Sequence, residues 1–179
     1  MNFKKCLGTL MVAVLLPALA LASTPREIDA KADAAMARFH KEVNVADQLL
    51  AKATAVLVIP EVIKGGFIFA GEYGEGALRV EGKSAVYYSV ASASFGLTVG
   101  GEMKDLIILF FSKESLDSFR ARDGWEAGVD GNIAVWKEGQ GSDAMVAQNE
   151  GPMIAFVVGV KGVLVDVSLK GSKFTVIKR

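Results

Sequence analysis

The chain has 179 residues, 51% of them hydrophobic, and balances 20 basic against 20 acidic side chains. That balance argues against nucleic acid as a partner, because such binding rests on clustered positive charge. A single cysteine, Cys6, and a single histidine, His40, exclude zinc sites and Cys–His catalysis in their usual forms.

Residues 1–22 fall into a basic start (Lys4, Lys5), an apolar stretch from Leu7 to Leu16, and the small-residue ending Ala20-Leu21-Ala22. This is the pattern of a cleaved secretory signal, with Ser23 as the expected mature N-terminus. Pro17 interrupts the apolar stretch, which falls short of the roughly 20 residues a spanning helix needs. Cys6 precedes that stretch, whereas the acylated cysteine of a lipoprotein would follow it. Cleavage therefore removes the only thiol, and with it any disulfide. Residues 23–179 read as one domain, long enough to build a core without covalent staples. Loss of Lys4 and Lys5 leaves 18 basic side chains against 20 acidic ones. The expected location is the periplasm or the cell exterior, including the periphery of a membrane.

Thr24, Pro25 and Glu27 fit an N-cap, a first-turn proline and the acid of a capping box, so a helix is expected directly after the cleavage point. On a helical wheel Ile28, Ala32, Ala35, Met36, Phe39 and Val43 fall within an arc of about 100°. The opposite side mixes Arg26, Lys31, Arg38 and Lys41 with Glu27, Asp29, Asp33 and Glu42, unlike the one-signed face of a strong binder of anionic membranes. Asn44 is the expected cap of a second short helix through Leu49, Leu50 and Ala53. The apolar run Ala55 to Ile59 follows, with Pro60 as its stop.

From there the pattern is that of strands: Phe67–Ala70, Ala77–Val80, Ala85–Val90, Phe95–Val99, Leu106–Phe111, Ile133–Trp136, Ile154–Val160, Val163–Leu169 and Phe174–Ile177. Gly71-Glu72-Tyr73-Gly74-Glu75-Gly76 lacks the Gly-Lys-Ser/Thr ending of a phosphate loop and reads as a tight turn. Gly171-Ser172 is placed as a type II′ hairpin turn with glycine first. One helix interrupts the strands, from a Ser112 cap through Leu116 and Phe119 to a stop at Asp123-Gly124. The expected fold class is α+β: N-terminal amphipathic helices packed on a twisted antiparallel sheet or partly closed barrel, with one further short helix.

Catalytic chemistry finds no support. His40 sits on the polar side of the first helix, and no nucleophile-elbow spacing surrounds a serine. The acid-rich turns Asp123-Gly124-Trp125-Glu126 and Asp130-Gly131-Asn132 do not continue into a calcium loop. Trp125, Trp136, Tyr73, Tyr87 and Tyr88 either line a groove or pack the sheet, and packing is the commoner use. The expectation is a non-enzyme without cofactor or metal.

The glycine and aromatic framework resembles the SYLF-domain family. The resemblance rests on Ala53 to Pro60 followed by Lys64-Gly65-Gly66-Phe67, on Gly71 to Arg79, on Ala93-Ser94-Phe95-Gly96 to Gly100, on Leu116 to Asp130, and on Lys161-Gly162-Val163 to Gly171-Ser172-Lys173. It implies a non-enzymatic lipid-binding role, attributed in part to an amphipathic N-terminal helix, which here is Thr24 to Val43. In an exported protein, actin binding and phosphoinositide recognition do not carry over, and the expected partner is a phospholipid or another envelope amphiphile. The candidate contact residues are Ile28, Met36 and Phe39 for acyl chains, Lys31, Arg38, Lys64 and Arg79 for a headgroup, and Phe67 and Tyr73 beside them. The alternative is an envelope structural or protein-interaction domain that binds no lipid, its first helix fully docked.

Overall fold

The computed structural model describes residues 23–66, 69–95, 100–136, 151–162 and 168–179. The signal segment 1–22, Phe67, and the strand stretches assigned to 96–99 and 163–167 lie outside them. Among the described residues three helices, α1 (Pro25–Glu42), α2 (Ala46–Lys52) and α3 (Lys113–Arg120), accompany eight strands. The strands are β1 (Ala55–Gly66), β2 (Phe69–Val80), β3 (Lys83–Phe95), β4 (Gly100–Phe110), β5 (Trp125–Glu126), β6 (Ala134–Trp136), β7 (Met153–Gly162) and β8 (Lys173–Ile177). They form one curled sheet in the order β5-β8-β3-β2-β1-β4-β7-β6.

The α+β class holds, with one correction to the sheet. It is mixed rather than antiparallel, because β6 runs parallel to β7. A parallel pair needs a long connection, and residues 137–152 separate Trp136 from Met153.

The first helix starts as its sequence dictates. Thr24 Oγ1 accepts from the Glu27 amide, and the Glu27 carboxylate accepts from the Thr24 amide at 2.7 Å, closing the capping box. The second helix departs from expectation, since Val45 and not Asn44 occupies the N-cap and no side chain caps it. Ser112 caps α3 as expected.

The strands are longer than their apolar runs. Gly71 to Gly76 is no turn but the middle of a continuous twelve-residue β2, and the reversal comes at Glu81-Gly82. Both residues have positive φ, as a two-residue type I′ turn requires. Pro60 does not end β1 either. The strand passes through it with a bulge, at which Glu61 adopts φ 51°. At the turn before β8, which pairs with β3 and β5, Ser172 N donates to Leu169 O, and the positive φ of 81° falls on Gly171 at the second central position. The turn is therefore type II, one residue earlier than expected.

Two cores lie on the two faces of the sheet. One gathers Leu57, Leu78, Val90, Ile108 and Phe110 with α3, and centres on Phe119, whose ring lies 5.1–5.7 Å from those of Tyr88, Phe110, Trp125 and Phe174. The other is formed by Ala32, Ala35, Phe39 and Val43 of α1 with Leu49 of α2, against Val58, Ile107, Leu109, Ile154 and Phe156. Phe39 meets Phe156 edge to face at 5.2 Å. Its full burial contributes about 1.5–3 kcal/mol.

Candidate functional site at the uncovered end of the sheet

Helix α1 crosses the sheet from β3 to β7, and polar contacts mark its path. Asp29 accepts from Ser84 Oγ at 2.7 Å and from Tyr87 Oη at 3.1 Å. Arg79 Nη2 reaches Asp33 Oδ1 at 2.8 Å and the Asp29 carbonyl at 3.2 Å. Lys31 pairs with Glu61 at 2.8 Å, Arg38 with the buried Asp105, and Glu42 accepts from the Gly159 amide at 3.0 Å. The hydrogen bonds to Glu61 and Asp105 raise the Lys31 and Arg38 pKa values, so both stay charged through the ordinary pH range.

The expected site residues therefore divide. Ile28 and Phe39 are buried beneath the helix. Met36 is half-buried, while Lys31, Arg38 and Arg79 are each held by a carboxylate. Lys64 is buried on the opposite face. Tyr73 is exposed, and it leads to a surface that the sequence reading did not assemble.

Beyond the helix, β1 to β4 project with nothing over them among the described residues. Residues directly opposite each other in neighbouring strands share a face, and the register joins Lys173 to Ala91, Ala91 to Tyr73, Tyr73 to Ile63, Ile63 to Met103 and Met103 to Lys161. This is one row across six strands, apolar in the middle and lysine at both ends. The next row on the same face is Ala93, Gly71, Gly65 and Gly101, and Phe69 follows it. Ile63 is 59% exposed, Phe69 73% and Tyr73 52%. A Cβ on Gly71 would meet nothing within 4 Å, so the glycines leave a low, open floor between the larger side chains. Tyr73 Oη donates to Glu75 at 2.8 Å, and Glu75 also pairs with Arg179. Partial burial and the Glu75 carboxylate push the Tyr73 pKa up, which keeps the phenol neutral.

The other face of these strand ends is charged. Ser92, Glu72, Lys64, Glu102 and Gly162 stand opposite one another in a second row. Lys104 Nζ lies 3.2 Å from both Glu72 and Glu102, and all three are buried. The bulge at Pro60-Glu61 creates this arrangement. An extra residue reverses the face of every side chain after it, which turns Ile63 outward and Lys64 inward between two glutamates. The bulge is itself held, since Glu61 N donates to Asp105 Oδ1 at 3.0 Å and its carboxylate takes Lys31. Gly76 accommodates it, because a Cβ there would sit 2.1 Å from Val58 O.

Among the described residues no group of three or more His, Cys, Asp or Glu is placed to hold a metal ion. His40 is exposed and lies 3.0 Å from Asp47. Asp130, in the acid-rich turn, accepts from the Glu126 amide at 2.8 Å and pairs with Arg122, so it holds the turn itself together. No helix among the described residues is long and apolar enough to cross a membrane.

Residues 91–179, which carry the end of β3 and all of β4 to β8, match the family model described as Las17-binding protein actin regulator (Ysc84). Across 153 residues the chain is 30% identical to Beta cell expansion factor A of Aeromonas veronii, a match that covers 84% of this chain and 56% of that protein. The chain belongs to the SYLF (Ysc84) family. Protein YSC84 of Saccharomyces cerevisiae is 27% identical over 123 residues, 65% of this SYLF chain and 26% of the yeast protein. An SH3 domain-containing protein of Schizosaccharomyces pombe is 29% identical over 124 residues, 65% and 29% of the two lengths. This SYLF chain thus spans little more than half of the bacterial relative and under a third of each yeast protein.

Proposed function

We propose that this protein is an exported lipid-binding module that rests on phospholipid surfaces through the uncovered end of its sheet. The observation that carries the reading is the row from Lys173 through Ala91, Tyr73, Ile63 and Met103 to Lys161. A contiguous exposed apolar patch marks a contact surface. Lysines at its ends suit an anionic interface, where each contributes about 1 kcal/mol near the surface while its stem lies along apolar groups. Neither Lys161 nor Lys173 makes an ion pair among the described residues. Family membership and the signal-like segment 1–22 support the reading, and the docked helix moves its contact surface from Ile28 and Phe39 to the strands.

Flotation with phosphatidylglycerol vesicles tests it, with phosphatidylcholine as the comparison. The protein should float with the anionic vesicles, and Ile63→Asp should abolish flotation by bringing a charge to an apolar interface. Wild-type protein that stays at the bottom of the gradient, or an Ile63→Asp variant that floats as well as wild type, would overturn it.

A further inference from the structure

The apolar row carries a thioether in its middle. Met103 is 36% exposed, and the register sets it between Ile63 on β1 and Lys161 on β7. The other methionines among the described residues are better covered, Met36 being half-buried beneath α1 and Met153 buried in the core around Phe119. An oxidant has to touch sulfur to react with it, so exposure ranks Met103 ahead of both.

We propose that Met103 is an oxidation site through which a peroxide lowers the affinity of this surface for lipid, an inference that rests on the row being a lipid contact. The sulfur lone pair attacks one oxygen of the peroxide. An S–O bond forms as the O–O bond breaks, the sulfur gives up two electrons, and the second oxygen of hydrogen peroxide leaves as water. The sulfoxide puts a strong acceptor in the middle of an apolar surface, where carrying it into lipid costs a desolvation that the thioether does not. Lys161 stands directly opposite, at the spacing of a cross-strand pair, and makes no ion pair among the described residues. Its ammonium donates to the new oxygen and is drawn away from an anionic headgroup. One added oxygen thus removes an apolar contact and weakens a flanking charge together. The fold is spared, because Met103 belongs to neither core.

The test titrates the intact protein with phosphatidylglycerol vesicles before and after limited treatment with hydrogen peroxide, and peptide mass mapping locates the added oxygen. The first oxygen should fall on Met103, and vesicles present during treatment should slow its arrival several-fold. The oxidised protein should bind about tenfold more weakly at an unchanged Tm, and the two methionine sulfoxide reductases should restore binding. Met103→Leu, whatever its own affinity, should not respond to peroxide, and Lys161→Gln should lose less than wild type does. Unoxidised protein that ignores the vesicles would overturn the lipid-contact reading and this inference with it. Where unoxidised protein binds, the inference alone is overturned if another described methionine is oxidised first, if vesicles do not protect Met103, or if protein oxidised at Met103 binds as before. It is equally overturned if the loss comes with a lower Tm, resists the reductases, recurs in Met103→Leu, or is as large in Lys161→Gln as in wild type.

Discussion

At the end of the sheet beyond α1, the two faces of the same strands reverse the usual order of polarity. The buried face carries Glu72, Lys64, Glu102 and Lys104, and the exposed face carries Tyr73, Ile63, Met103 and Phe69. Water on one side and hydrocarbon on the other would sort these side chains the opposite way. An exposed apolar face is therefore suited to a non-aqueous neighbour. A buried charged face holds together only while its pairs are intact, because removing one partner strands the other. The comparison teaches that a one-residue bulge, and not composition, decides which face of β1 meets which environment.

Breaking the buried row should have the largest effect. Lys104→Met takes from the buried Glu72 and Glu102 the ammonium that lies 3.2 Å from each, leaving two acids in the row with Lys64, at a cost of about 3–5 kcal/mol. For a domain of this size that lowers Tm by on the order of 10 °C, readable by thermal unfolding. Ile63→Asp, across the sheet, should move Tm by no more than a degree or two, although it removes vesicle binding. Equal melting shifts for the two variants would erase the distinction between the faces.

The glycines sharpen the same contrast. Gly76→Ala places a Cβ 2.1 Å from Val58 O on the bulged strand and should cost about 1–3 kcal/mol as overpacking. Gly71→Ala meets nothing within 4 Å and should leave stability unchanged or raise it by about 0.5 kcal/mol, as chemical denaturation will show. The smallest effect is reserved for the flanks. Lys161→Gln with Lys173→Gln should keep the fold and lose about 2 kcal/mol of affinity for anionic vesicles, and the remaining binding should no longer respond to salt. Retained salt dependence would locate the electrostatic contact elsewhere.

Much of this was legible beforehand, for reasons that differ by element. The capping box at Thr24 and the apolar arc of α1 are local signals, and both appear where expected, as does the Ser112 cap of α3. The docking of that arc was not decidable, since a lipid surface and a sheet present the same apolar partner to Ile28 and Phe39. The lengths of β1 and β2 were lost to glycine and proline read as punctuation. Pro60 occupies a bulge, where its missing amide costs no ladder hydrogen bond, and the glycines of β2 alternate between crowding against β1 at Gly76 and lying open at Gly71. The apolar row itself joins residues more than 100 positions apart, from Ile63 to Lys173, and only the register of six strands brings them together. The period-two spacing of Phe69, Gly71 and Tyr73 was the one local hint.

The borders of the sheet bear on how such a surface remains usable. Among the described residues its outermost strands are β5, of two residues, and β6, of three. Strands so short present few unpaired amides and carbonyls for another chain to extend, which denies the route by which exposed sheets grow into fibrils. Where β5 and β6 close the rims, a molecule that displays Ile63, Phe69 and Tyr73 to solvent offers little edge to extend, so copies that meet there should associate face to face, reversibly, rather than by adding strand to strand.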